Sequence, residues 1–107
     1  MSLHGHVILI IEPEPLFALD LQASIERDRG ESIACADMSA AVARCAKFKF
    51  TAAIVNTLQR AVVRKLLMPV VIYHGQERHS AVSSRLKMLL AATRLNCPAA
   101  SEEFGSS

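Results

Sequence analysis

Tryptophan is absent from this 107-residue chain, and aromatic residues make up only 5% of it. With 51% of its residues apolar, its core has to be aliphatic, built from Ala, Val, Ile and Leu. No apolar run approaches the roughly 18 residues that a membrane-spanning helix requires. Neither sign of charge dominates: 12 Lys and Arg stand against 10 Asp and Glu, a formal net charge of +2. So small an excess offers no general electrostatic attraction to nucleic acid. A charged fraction of 21% beside this much apolar content excludes an intrinsically disordered chain. The cysteines Cys35, Cys45 and Cys97 are odd in number and far apart. They fit reduced thiols better than a disulfide framework. The N-terminus has no basic start, long apolar stretch and small-residue cleavage site of a secretory signal, so a cytoplasmic location is expected.

The length suits one domain with a single core. Its expected extent is residues 6–104, with terminal tails at 1–5 and 105–107 and no role for Met1–Leu3. Val7-Ile8-Leu9-Ile10-Ile11 is a continuous aliphatic run, too short for a helix and without alternation, so it reads as a strand covered on both faces. Glu12-Pro13-Glu14-Pro15 ends it. Pro15 suits the first turn of a helix and Glu14 its positive end. Phe17, Leu21 and Ile25 continue that helix to about residue 28, and Gly30 is the expected stop. Ser32–Ala36 reads as a second strand at an edge. Asp37 is a candidate N-cap for an amphipathic helix through Met38, Ala41, Val42, Cys45 and Ala46.

Thr51–Asn56 is the third predicted strand and Pro69–Tyr73 the fourth. Between them Leu58, Val62 and Leu66 suggest a short helix over 58–67. Val82, Leu86, Leu89 and Leu90 mark a later helix, with Arg85 and Lys87 on its wet side. Thr93–Cys97 would be a short last strand. Alternating strands and helices joined by short links imply a parallel sheet with helices on both faces. In such sheets chemistry gathers beyond the carboxyl ends of the strands. The residues that this places at the rim are Glu12, Pro13, Glu14, Asn56, His74 and Cys97.

The segment from Val7 to Leu16 resembles the opening of response-regulator receiver domains, the CheY-like family of two-component signalling. The resemblance covers about residues 6–104. It implies a doubly wound, flavodoxin-like α/β fold with a parallel five-stranded sheet of order 2-1-3-4-5. The connection between the third and fourth strands is about ten residues shorter than the family's usual crossover, because Asn56-Thr57-Leu58-Gln59-Arg60 enters a helix directly. The family's last helix is expected to be truncated or missing. Carried over position by position, the acidic pair that holds Mg²⁺ falls on Glu12 and Pro13. The phospho-accepting Asp falls on Asn56, the Ser or Thr that bonds the phosphoryl group on His74, and the Lys before a Pro on Cys97, followed by Pro98.

These departures remove the chemistry. A neutral amide is a poor nucleophile towards phosphorus. A Mg²⁺ site relies on one or two carboxylates plus phosphate oxygens, and only Glu12 survives here. The expectation is a degenerate receiver, not an enzyme, without a Mg²⁺ cofactor, acting through contact with a signalling protein such as a histidine kinase or another regulator. A homodimer is also expected, because a missing last helix leaves apolar surface uncovered. Two alternatives use the same rim. One is a phosphorylatable receiver. The other is a small ligand or metal module with Glu12, His74 and Cys97 as candidate Zn²⁺ ligands, although they lack a metal-binding spacing. Arg60, Arg64, Lys65, Arg78, Arg85, Lys87 and Arg94 read as solvated charge or a surface for an acidic protein, since no helix-turn-helix or stacking platform accompanies them.

Overall fold

The aliphatic runs become strands whose two sides feed two different cores. The computed structural model describes residues 3–58, 64, 66–74 and 77–95. Within them the order is β1 (Val7–Ile11), α1 (Pro15–Arg27), β2 (Glu31–Cys35), α2 (Met38–Cys45), β3 (Ala52–Asn56), β4 (Val70–Tyr73) and α3 (His79–Leu95). The strands form one sheet of order β2-β1-β3-β4, and each neighbouring pair is parallel. β1 and β3 are central, and alternate side chains enter opposite layers. Ile8, Ile10 and Ile54 pack with Leu21 and Ile25 of α1 and Val82, Leu86 and Leu90 of α3. Leu9, Ile11 and Val55 pack on the other side with Ala41 of α2, Cys35 and Leu66.

The first helix begins as the sequence predicts. Pro15 occupies its first turn, and the Glu14 side chain accepts from Leu16 N at 3.1 Å. Its end differs from the prediction. Asp28 is the C-cap, and the left-handed residue after it is Arg29, with φ 70°, rather than Gly30. Arg29 N donates to Glu26 O and Gly30 N to Ile25 O, both at 2.9 Å, the paired bonds of a Schellman motif. Gly30 is needed for a different reason. A Cβ there would lie 2.7 Å from Ile25 Cγ2 and 2.9 Å from Leu3 Cβ.

Leu3, expected to be an idle tail residue, is fully buried in the α1–α3 core. Its N–H donates to Asp28 O at 2.7 Å. The Asp28 carboxylate in turn meets Lys87 Nζ at 2.6 Å and accepts from Ser83 Oγ at 3.3 Å. The Lys87 bond holds the Asp28 carboxyl below its ordinary pKa, against the opposing effect of desolvation. One C-cap residue thus ties the N-terminus, α1 and α3 together, and Lys87 is engaged there rather than simply solvated.

Asp37 caps α2 as expected, accepting from Ala40 N at 2.9 Å, but only Ala41 of that helix is fully buried. Leu58 and Leu66, expected on one stripe of a short helix, differ in burial: Leu58 is 79% exposed and Leu66 only 8%. Val62, Arg60 and Lys65 lie outside the described residues. Thr93–Leu95, expected to open a fifth strand, instead continue α3, and the described residues hold four strands. Handedness accounts for this. A right-handed crossover from β4 to a strand beyond it would carry its helix on the α2 face. α3 packs on the opposite face, beside α1, and is a full 17 residues long.

The close contacts around Gly30 predict that Gly30→Ala lowers stability by about 1–3 kcal/mol through overpacking. Arg29→Gly is expected to raise it by up to about 1 kcal/mol, because glycine adopts the left-handed region without a Cβ clash. Urea denaturation of the two variants against the parent measures both signs.

Candidate functional site

Parallel register brings the carboxyl ends of β1, β3 and β4 level, and Glu12 follows directly after β1. The ladder continues past β1, since Glu12 N donates to Cys35 O at 2.9 Å. This holds the Glu12 side chain at the rim, where only 4% of the residue is exposed. A carboxylate so buried has to be supplied with donors, and three are present. Asn56 Nδ2 reaches Glu12 Oε1 at 2.9 Å, and Glu14 N reaches Oε2 at 2.7 Å. The third is the Tyr73 hydroxyl, which donates to Oε1.

Glu12 and Asn56 therefore meet, as their positions in the sequence imply. Asn56 is itself buried, and both ends of its amide are engaged, since its Oδ1 accepts from Leu58 N at 2.9 Å. That bond is the local turn expected of an Asn after a strand.

The residue that completes the cluster is Tyr73, which the sequence marks only as the end of a strand. It pairs in register with Asn56, is completely buried and stacks on Phe17 with ring centroids 5.5 Å apart. His74, to which sequence reasoning assigned the rim position, is exposed, and its main-chain N–H donates to Glu77 Oε1 at 2.9 Å. Pro13 is exposed and borders a groove of about 340 Å³ between α1 and β2, with Pro15, Leu19 and Cys35 among its lining. Cys35 and Cys45 are free thiols. Desolvation raises the Cys35 pKa, so it packs as a small apolar group rather than a thiolate. Cys97 lies outside the described residues.

This donor set does not fit a divalent cation. Both Glu12 oxygens already accept hydrogen bonds, Asn56 presents an N–H₂ to the carboxylate, and Pro13 has no side-chain oxygen. Among the described residues, no three His, Cys, Asp or Glu side chains gather as metal ligands. No described helix is long and apolar enough to cross a membrane.

No family model matches the chain, and no curated protein matches it. Solved structures do resemble it. A fusion carrying the trimeric coiled coil of yeast Spc42 matches with a TM-score of 0.75 at 13% identity, over 90% of this chain and 86% of that one. A sensor protein from Polaromonas sp. JS666 matches with a TM-score of 0.70 at 17% identity, over 86% of this chain and 98% of that one. At these identities the likeness concerns the fold: a parallel α/β sheet consistent with the flavodoxin-like arrangement.

Burial, then the bond to Glu12 and its charge, push the Tyr73 pKa well above the ordinary value near 10. The unfolded chain therefore loses this proton first as pH rises. The stabilisation is complete below about pH 10 and declines above it, towards the raised native value. Tyr73 is the chain's one tyrosine, and there is no tryptophan, so tyrosinate absorbance reports it alone. The expected alkaline titration shows no tyrosinate near pH 10, followed by its appearance together with loss of helical circular dichroism. Tyr73→Phe should reduce stability by about 1–3 kcal/mol by taking a donor from a buried carboxylate.

Proposed function

We propose that this chain is a degenerate receiver-like module of two-component signalling that acts by protein contact rather than by phosphorylation. The observation that carries the reading is the closed cluster of Glu12, Asn56 and Tyr73. Where a receiver would present acidic oxygens and a nucleophilic carboxylate, this chain presents a carboxylate whose two oxygens are bonded internally and an amide. An acyl phosphate at this rim would need Tyr73 to leave the core and Glu12 to lose its donors.

The fold likeness to a chain described as a sensor protein supports a signalling setting. Contact as the mode of action is supported by Leu16 and Leu19, large apolar side chains that α1 leaves 71% and 60% exposed. The partner class is a signalling protein, a histidine kinase or another regulator; the self-association expected from a missing last helix loses that ground, because the 17-residue α3 covers the α1 face of the sheet. A fifth strand of order 2-1-3-4-5 is not part of the reading, which needs only the carboxyl rim of β1, β3 and β4.

Incubation with Mg²⁺ and acetyl phosphate tests the proposal. The intact mass should remain unchanged, and a labile gain of one phosphate overturns the reading. Asn56→Asp should not restore phosphorylation. Instead it sets a second carboxylate against Glu12 at hydrogen-bond distance, so one of the two must take up a proton. The variant should therefore be less stable than the parent at neutral pH and recover as the pH falls towards the carboxylate range. Mass spectrometry and urea denaturation at two pH values check the two parts separately.

A further inference from the structure

β4 ends the sheet, and its outer edge has no strand partner among the described residues. Main-chain groups in a parallel ladder point alternately to the two sides. Ala53 N donates to Pro69 O at 2.9 Å, so Pro69, Val71 and Tyr73 turn their polar groups to β3. Val70, Ile72 and His74 turn theirs outward. One residue of a further parallel strand would donate its N–H to Ile72 O and accept from His74 N with its carbonyl.

Both roles are filled by side chains. Arg85 Nη2 donates to Ile72 O at 2.6 Å, and Glu77 Oε1 accepts from His74 N at 2.9 Å. The two side chains are joined to each other, Arg85 Nη1 lying 2.8 and 2.7 Å from the two Glu77 oxygens. The donor comes from α3 and the acceptor from the turn before it. Together they reproduce the hydrogen-bonding pattern of a single residue in a neighbouring strand.

The surroundings make such a guard necessary. Val70-Val71-Ile72-Tyr73 is a run of β-formers. Ile72 is 37% exposed and Met88 71%, and both border a groove of about 370 Å³ between this edge and α3. An apolar open edge is a template for another strand. The strand always at hand is the same edge on a second copy, because an antiparallel pairing about a two-fold axis is self-complementary.

We propose that the Glu77–Arg85 pair takes the place of one fifth-strand residue and so keeps β4 from pairing edge to edge with a second copy of this chain. The guard is independent of the receiver reading and holds whatever the rim cluster does.

Sedimentation velocity over a concentration series tests it with the double variant Glu77→Ala/Arg85→Ala, whose fold is checked by circular dichroism. Its weight-average mass should rise to at least double that of the parent at the same concentration. Adding Ile72→Lys, a charge on the edge itself, should return the mass to the parent value. An unchanged mass in the folded double variant overturns the proposal, as does an increase that survives Ile72→Lys. If the pair served only the turn between His74 and Glu77, the double variant would be less stable without gaining mass. A second measurement needs no multiple variant. In the parent, the His74 amide should exchange slowly for an edge position, and Glu77→Ala should speed it by roughly tenfold or more. A His74 amide that is unprotected in the parent overturns the proposal whether or not the double variant folds.

Discussion

A buried carboxylate at the end of a central strand constrains everything around the rim of this sheet. Glu12 cannot be left without donors, because desolvating an unpaired carboxylate costs more than a small domain's stability can absorb. Its position is fixed by the β1–β2 ladder, so the donors have to come to it. Asn56 comes from β3, Tyr73 from β4 and Glu14 N from the turn into α1. Three separate segments are thereby held in one register by one side chain. The Tyr73 ring, stacked on Phe17, then links that polar knot to the aliphatic core beneath α1.

Much of this was legible in the sequence, and the parts that were not have physical reasons. Four strands, the acidic helix start at Glu14, the cap at Asp37, and the meeting of Glu12 with Asn56 follow from apolar runs, turn residues and the geometry of parallel sheets. His74, whose place in the sequence puts it at the rim, lies one residue past Tyr73, and in a strand one residue reverses the face. The signal that separates them was present. Val71 and Tyr73 share a face by alternation, and a tyrosine facing a core needs a partner for its hydroxyl. Gly30 reads as the helix stop because glycine is the commonest left-handed residue. Here the glycine is required for close approach to Ile25 and Leu3, which leaves Arg29 to adopt the strained conformation. Leu3 lies at a terminus and belongs to no apolar pattern, yet its side chain fills the space that Gly30 leaves open.

The two ends of the sheet's chemistry share a logic. At the rim, the buried Glu12 carboxylate is supplied with donors by a tyrosine and an amide. At the edge, the bonds of a neighbouring strand are supplied by arginine and glutamate. In both places polar groups that need partners are satisfied by the chain's own side chains. Glu77 carries the mark of this arrangement, since its bond to the His74 N–H and then its pairing with Arg85 hold its carboxyl below the ordinary range.

The placement of α3 explains why the edge needs such help. A helix on the α2 face after β4 would lead by a right-handed crossover to a strand beyond it, and that strand would satisfy Ile72 and His74 with its main chain. α3 lies on the α1 face instead, where Leu86 and Val82 complete the core and Lys87 reaches Asp28. From that side its main chain cannot pair with β4, but a long side chain can reach over the edge. Arg85 is the residue of α3 that does so, at 45% side-chain exposure and with three hydrogen bonds held by one planar guanidinium. Lysine has a single donor centre and could not hold the Glu77 carboxylate and the Ile72 carbonyl in the same plane. The choice of side chain thus follows from the choice of face: once α3 covers the α1 core, a side chain has to do at the β4 edge what a main chain would have done.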